Sequence, residues 1–237
     1  MDELLMDRTG AVLTLTLNRP EKMNALSATL VEALLEHVEQ AAQSGVRLLV
    51  LRGAGRNFSA GFDFSGYEEQ SQGDLVLRFI RIEQLLQAIY YAPFDTLALA
   101  HGRNFGAGVD LVCSCDHRIG DPSATFMMPG LSFGLVLGTR RYAARVGDAR
   151  ARRVLAGGVT FTAQEAIADG FLTQQGLVAD WPEVVRQAAQ SATRLSAQAQ
   201  QALHHATVAK TQADDLSDLV SSAARPGLKA RIQAYRG

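Results

Sequence analysis

The chain has 237 residues, 47% hydrophobic and 20% charged, with 23 Lys+Arg against 24 Asp+Glu for a formal net charge of -1. This is enough apolar material for a packed core, so wholesale disorder is excluded. The balanced charge lacks the basic excess on which general nucleic-acid affinity depends.

The cysteine count is two, Cys113 and Cys115, too few for a secreted disulfide scaffold. No apolar run approaches the ~20 residues of a membrane span. The start, MDELLMDRTG, has neither the basic nor the apolar region of a secretory signal. The expected setting is cytoplasmic, with no membrane and no nucleic acid as partner.

In chain order, Ala11 to Leu17 alternates leucine with threonine and predicts a half-buried strand, closed by Asn18-Arg19-Pro20. Ser27 is placed to cap a helix running to Gln43, with Leu30, Leu34 and Val38 on its apolar face and Gly45 beyond its end. Val46 to Leu51 is a continuous apolar run, as in a strand covered on both faces. A glycine-rich loop follows from Gly53, then a polar stretch, Ser65 to Asp74, without periodicity. Leu75 to Tyr91 predicts a helix with the stripe Ile82, Leu85, Leu86 and Ile89, ended by Pro93.

Thr96 to Ala100 predicts another buried strand. It opens into a second glycine loop, HGRNFGAG, which feeds a short apolar helix, VDLVCSC. HRIG and ATFMM predict two short strands. From Thr139 onward the pattern is helical, with Arg150 to Leu155, Ala163 to Ala168, Pro182 to Leu195 and Ala197 to Lys210 as the elements. Strands alternating with helices imply an α/β layered domain over residues 1–180. Residues 181–237 are rich in alanine and glutamine and predict a helical region.

Both glycine loops follow buried strands, where open α/β sheets place ligands. Small residues let a ligand approach backbone N–H groups, and two such loops side by side can aim two donors at one oxygen. Neither loop has the glycine spacing of a nucleotide-binding fingerprint.

On these residues the chain resembles the enoyl-CoA hydratase/isomerase (crotonase) family. Asn18-Arg19-Pro20 with Asn24-Ala25-Leu26 matches the family's opening motif, and Phe58-Ser59-Ala60-Gly61-Phe62-Asp63 its first oxyanion loop. Gly102 and Gly106-Ala107-Gly108-Val109-Asp110-Leu111, followed by Cys115-Asp116, match the second loop. Gly138-Thr139, Arg145-Val146-Gly147, Gly157, Ala163-Gln164-Glu165-Ala166 and Gly170-Phe171 match the helical part. The resemblance runs in one register from about residue 8 to 178.

The resemblance implies a crotonase-like spiral of ββα/βββα units, of the ClpP/crotonase kind, with a C-terminal helical trimerisation region. It also implies a homotrimer or dimer of trimers, a role in fatty-acid metabolism, and an acyl-coenzyme A thioester as substrate with no tightly bound cofactor and no metal. The thioester oxygen would accept from the backbone N–H of Phe62 and Ala107. The backbone near Ala60 would hold the adenine, and Asp63, Phe64 and Ser65 would line the CoA channel, with Ala25, Leu26, Phe62 and Ala107 as further substrate-binding residues.

Hydratases of this family place two glutamates about one water. Here the first position holds Asp110 and the second Gly130, which has no side chain to move a proton. The expected activity is hydration of a 2-enoyl-CoA or its reverse, with Asp110 as the one carboxylate. The alternatives are a thioester hydrolase or decarboxylase, or an acyl-CoA-binding homologue without efficient turnover. His101, Tyr67, Glu68 and Glu69 are further proton-transfer candidates. Their expected roles are structural for His101 and solvated for the loop residues. Cys113 and Cys115 read as small core residues, and His204-His205 cannot form a ligand pair because adjacent helical residues diverge.

Overall fold

A computed structural model describes residues 2–236. The first strand, β1 (Leu4–Thr9), pairs antiparallel with β2 (Val12–Leu17). The alternation of β2 buries Leu13, Leu15 and Leu17. No periodicity foretells β1, because it is an edge strand with most of its side chains in water. Helix α1 (Ala28–Ala41) follows, with the Ser27 Oγ accepting from the Leu30 N–H at 3.0 Å. Strand β3 (Leu48–Gly53) then adds parallel to β2.

Helix α2 (Gln72–Tyr90) begins three residues earlier than its apolar stripe predicts. The cause is a capping box: the Ser71 Oγ accepts from the Asp74 N–H at 3.1 Å, and the Asp74 carboxylate accepts from the Ser71 N–H at 2.9 Å. Ser71→Ala is expected to lower stability by about 1 kcal/mol in urea unfolding, with activity unchanged.

The chain continues through β4 (Asp95–Ala100), β5 (Arg103–Phe105), α3 (Ala107–Ser114), β6 (His117–Gly120) and β7 (Thr125–Met127). Next come α4 (Thr139–Val146), α5 (Asp148–Gly157), β8 (Phe161–Thr162), α6 (Ala163–Ala168) and β9 (Gln174–Gln175). The last four helices are α7 (Trp181–Ala192), α8 (Ala197–Thr207), α9 (Gln212–Ala223) and α10 (Leu228–Arg236). The main sheet has the order β1-β2-β3-β4-β6-β9, parallel from β2 onward. Strands β5, β7 and β8 form a second sheet. Thus the second glycine loop contains a strand, β5, that its composition did not reveal.

The central strands are buried on both faces, which accounts for their unbroken apolar runs. One face, with Leu15, Leu49, Leu51 and Ala98, packs in the main core with α1, α2 and α3. On the other, Leu48, Val50, Leu97, Leu99 and Ile119 meet Trp181 and Ala192 of α7. Residues 181, 184, 185, 188 and 192 recur at helical spacing, so α7 turns one apolar stripe onto the sheet. The tail helices α9 and α10 are anchored more firmly than their composition suggests. Leu219, Ala223, Leu228 and Ile232 are fully buried in the main core. Helix α8 is held at its side by polar contacts, the Arg47 guanidinium donating to Gln200 Oε1 at 2.8 Å and the His204 Nε2 lying 3.0 Å from Asp95 Oδ1.

Candidate functional site

The two glycine loops are braced against each other. Asn24 is fully buried; its amide donates to the Ala54 and Asn57 carbonyls at 2.9 and 2.8 Å, fixing the start of the first loop. The Phe105 N–H donates to the Ser59 carbonyl at 3.1 Å and joins that loop to the second. At Gly61 (φ 76°) the approach is so close that a Cβ would lie 2.3 Å from the Phe105 carbonyl oxygen and 2.9 Å from the Ala107 nitrogen. Only glycine fits there, both in conformation and in space.

This bracing sets the direction of Phe62. The Leu26 N–H donates to the Gly61 carbonyl at 2.7 Å, and the Asp63 N–H donates to the Leu26 carbonyl at 3.3 Å. In an extended segment the intervening Phe62 N–H then turns to the opposite side. Ala107 is the first residue of α3, so its N–H has no intrahelical acceptor. The positive φ values in this loop fall on Gly102 and Gly106, at 58° and 47°, so alanine is unstrained at 107. Among the described residues, neither the Phe62 nor the Ala107 N–H donates to a protein acceptor.

Both residues line a cavity of about 280 Å³, walled by Phe64, Phe79, Phe105, Met128 and Phe133, with Asp110 and Gly130 also on its surface. Asp110 is 3% exposed, and its Oδ1 has no hydrogen-bond partner among the described residues. Burial pushes its carboxyl pKa well above the ordinary range; the Arg141 charge opposes that shift and the Glu83 charge adds to it. Gly138 (φ 63°) presses on the same carboxyl, since a Cβ there would fall 1.8 Å from Asp110 Oδ1. Gly130 opens a short 3-10 turn, Gly130–Phe133. A Cβ there would meet the Leu135 carbonyl at 3.1 Å.

Arg141 lies behind Asp110 and is 1% exposed. It donates to both Glu83 carboxylate oxygens, at 2.9 and 2.6 Å, and to Asp215 of α9 at 3.3 Å. Burial works against the Arg141 charge, but the Glu83 hydrogen bonds and charge outweigh it and hold the pKa above the usual arginine value. Sequence reading missed this pair. Its one signal was a glutamate at position 83, spaced four after Phe79 and three before Leu86, inside the apolar stripe of α2.

The other candidates separate. Ala60 and Phe64 line the cavity. Asp63 is buried and accepts from Arg19 at 2.7 Å and from the Ser65 N–H at 2.9 Å, while Ser65 is exposed. Ala25 accepts from Arg19 through its carbonyl at 2.6 Å, and Leu26 is fully buried against the first loop. His101 is not on the cavity wall; its Nε2–H donates to the Gly55 carbonyl at 3.0 Å, and its ring meets Trp181 edge-on. Glu68 and Glu69 are exposed as expected, but Tyr67 is 4% exposed rather than solvated, because its ring packs against Phe64. Cys113 and Cys115 are fully buried, and burial raises both thiols, Cys113 to about 11, so neither is a nucleophile at neutral pH. Asp95, Asp116 and His204 bring two carboxylates and an imidazole within 4.8 Å of one another. His204 is hydrogen-bonded to Asp95, and Asp116 to the Thr96 hydroxyl and N–H, which accounts for the grouping.

Residues 7–224 match the family model described as enoyl-CoA hydratase/isomerase. The chain belongs to this family. It is 36% identical over 173 residues to the Mycobacterium tuberculosis protein named "Probable enoyl-CoA hydratase echA6", covering 72% of this chain and 69% of that one. It is 34% identical over 185 residues to the 2,3-dehydroadipyl-CoA hydratase of Escherichia coli, covering 76% and 69% of the two chains. The fold superposes on a crystal structure of an enoyl-CoA hydratase/isomerase-family protein from Bordetella parapertussis. That match has a TM-score of 0.98 and 51% identity over 99% of this chain and 98% of that one. The crotonase fold is therefore that of this chain, and members of the family process CoA thioesters. No helix among the described residues is long and apolar enough to cross a membrane.

Proposed function

We propose that the cavity holds the acyl group of a CoA thioester and that the Phe62 and Ala107 N–H groups bind its carbonyl oxygen, stabilising the enolate formed in hydration of a 2-enoyl-CoA or in its reverse. The observation that carries this reading is the pair of unengaged amides, on two loops locked together by Gly61, beside the one side-chain carboxyl that the described residues bring to a mostly apolar cavity. Fixed donors in a dry site need no reorganisation as charge grows on the oxygen.

Asp110 takes the proton of the water that adds at the β-carbon. Its raised pKa makes its ionised form a stronger base than an exposed aspartate. Gly130, on the same cavity wall, supplies no second group, so the proton that Asp110 accepts passes on through an ordered water to the α-carbon, which restores the carboxylate. The CoA moiety leaves past Ala60, Phe64 and Ser65, with Asp63, Ala25 and Leu26 holding the channel wall. The active assembly is a cytoplasmic homotrimer or dimer of trimers, with residues 181–237 as its helical contact region and no tightly bound cofactor.

Gly130 also favours a second reading of the same cavity: thioester hydrolysis or decarboxylation, or acyl-CoA binding without turnover. A screen of malonyl-type and aromatic acyl-CoAs for release of free CoA separates these from hydration.

Ala107→Pro tests the first reading at the backbone. Proline is tolerated at the first helical position; it removes the N–H and sets its Cδ where the amide hydrogen was, so it withdraws the donor and crowds the oxygen it would bind. With crotonyl-CoA and longer 2-enoyl-CoAs, kcat/KM is expected to fall about 10²–10³-fold, with the melting temperature nearly unchanged. Unaltered turnover in a folded A107P enzyme removes this amide from the chemistry.

A further inference from the structure

Resting on the acyl-CoA reading above, we infer that the acyl chain taken by this cavity is uncharged, aliphatic or aryl, and that acyl groups ending in a second carboxylate are rejected. Among the described residues that line the cavity there is no lysine, arginine or histidine. The ionisable groups it does present are the Asp110 carboxyl and the Tyr235 phenol, which burial raises above its ordinary pKa. Neither can neutralise an anion.

The arginines that come near are already engaged. Arg236 lies over the Phe64 and Tyr67 rings, 5.5 and 5.4 Å from their centres, outside the cavity lining, and faces Glu68 at 3.8 Å. Arg78 lies 4.1 Å from the Phe62 ring centre and donates to the Asp63 carbonyl at 2.8 Å. Arg141 is held by both oxygens of Glu83. Arg231 donates to the Phe133 and Gly134 carbonyls at 2.9 and 3.2 Å. A distal carboxylate would lose its water and gain no partner, on a wall that already carries an acid.

The same wall offers an uncharged chain room to extend. An adjoining groove of about 260 Å³ shares Leu131, Thr139 and Leu155 with the cavity and continues past Ala143, Ala151 and Ala156 on α4 and α5. Its two charged members, Asp148 and Arg152, pair with each other at 3.4 Å and are 75% and 81% exposed, so they stand in water rather than on the apolar path. Each methylene buried along this path strengthens binding about fourfold.

Calorimetry of the full chain with free CoA, hexanoyl-CoA, octanoyl-CoA and adipyl-CoA tests the inference. Octanoyl-CoA is expected to bind about 16-fold tighter than hexanoyl-CoA, and adipyl-CoA at least about 100-fold more weakly than hexanoyl-CoA, near the level of free CoA. Leu131 is 38% exposed and borders both spaces, so L131R supplies a cation at the far end without disturbing the core. It is expected to narrow the hexanoyl-to-adipyl ratio at least tenfold. Wild-type binding of adipyl-CoA within tenfold of hexanoyl-CoA, or an L131R ratio that does not move, overturns the inference and leaves the acyl-CoA reading standing. Acyl-CoAs that bind no better than free CoA overturn the acyl-CoA reading itself.

Discussion

Asp110→Asn is expected to lower turnover of a 2-enoyl-CoA by about 10²–10⁴-fold, while its stability relative to the wild type improves steadily with pH. Asparagine keeps the shape of the side chain and loses the titration. The sign of the stability effect follows from the direction of the shift. Burial raises the carboxyl pKa in the folded protein, so the native state keeps a proton that the unfolded chain gives up. As pH climbs from the ordinary carboxylate range toward the folded value, the wild type loses up to about 1.4 kcal/mol per pH unit. The asparagine variant has no such slope. Urea unfolding of both proteins at pH 4.5, 6 and 7.5, beside initial rates, reads the two effects together. A D110N enzyme that keeps wild-type turnover, or a wild type that gains on it as pH rises, contradicts the role given to Asp110.

A buried carboxyl that weakens the fold as it ionises suits the proposed proton transfer better than it suits packing. Gly138 supports the same view. Its missing Cβ leaves the space that Asp110 Oδ1 occupies, so the chain gives up a side chain at the start of α4 to admit the carboxyl.

The sequence made the main sheet legible because its strands are either strictly alternating, as in β2, or covered on both faces, as in β3 and β4. It was silent on β1, whose mostly exposed side chains carry no period, and on β8 and β9, which are two residues each. The two glycine loops could be found from composition, since Gly61 and Gly106 take positive φ where other residues would strain. What composition could not give was the contact between them, because the 2.9 Å approach of the Gly61 Cβ position to the Ala107 nitrogen joins residues 46 apart. Asp110 stood out as an acid in an apolar helix. Its surroundings did not: Glu83, Gly138 and Arg141 come from three places in the chain, and each alone resembles a surface charge or a turn.

The buried pair behind Asp110 carries the second large effect. Glu83→Ala is expected to destabilise the protein by about 3–5 kcal/mol, because it leaves the Arg141 guanidinium without the carboxylate that holds it on both donors. Asp215, at 3.3 Å, offers Arg141 a single longer contact and cannot replace that geometry. The double variant Glu83→Leu with Arg141→Met removes both charges and is expected to recover most of the loss. Urea midpoints of the singles and the double separate a missing partner from a missing side chain.

The pair also reaches the chemistry. Glu83 adds to the upward shift of Asp110, and Arg141 opposes it. Glu83→Gln is therefore expected to move the acid limb of the pH–rate profile toward lower pH, and Arg141→Met to move it higher. A purely structural pair would alter stability and leave that limb in place. Opposite displacements from two residues that do not line the cavity would show that α2 and α4 set the proton affinity of Asp110.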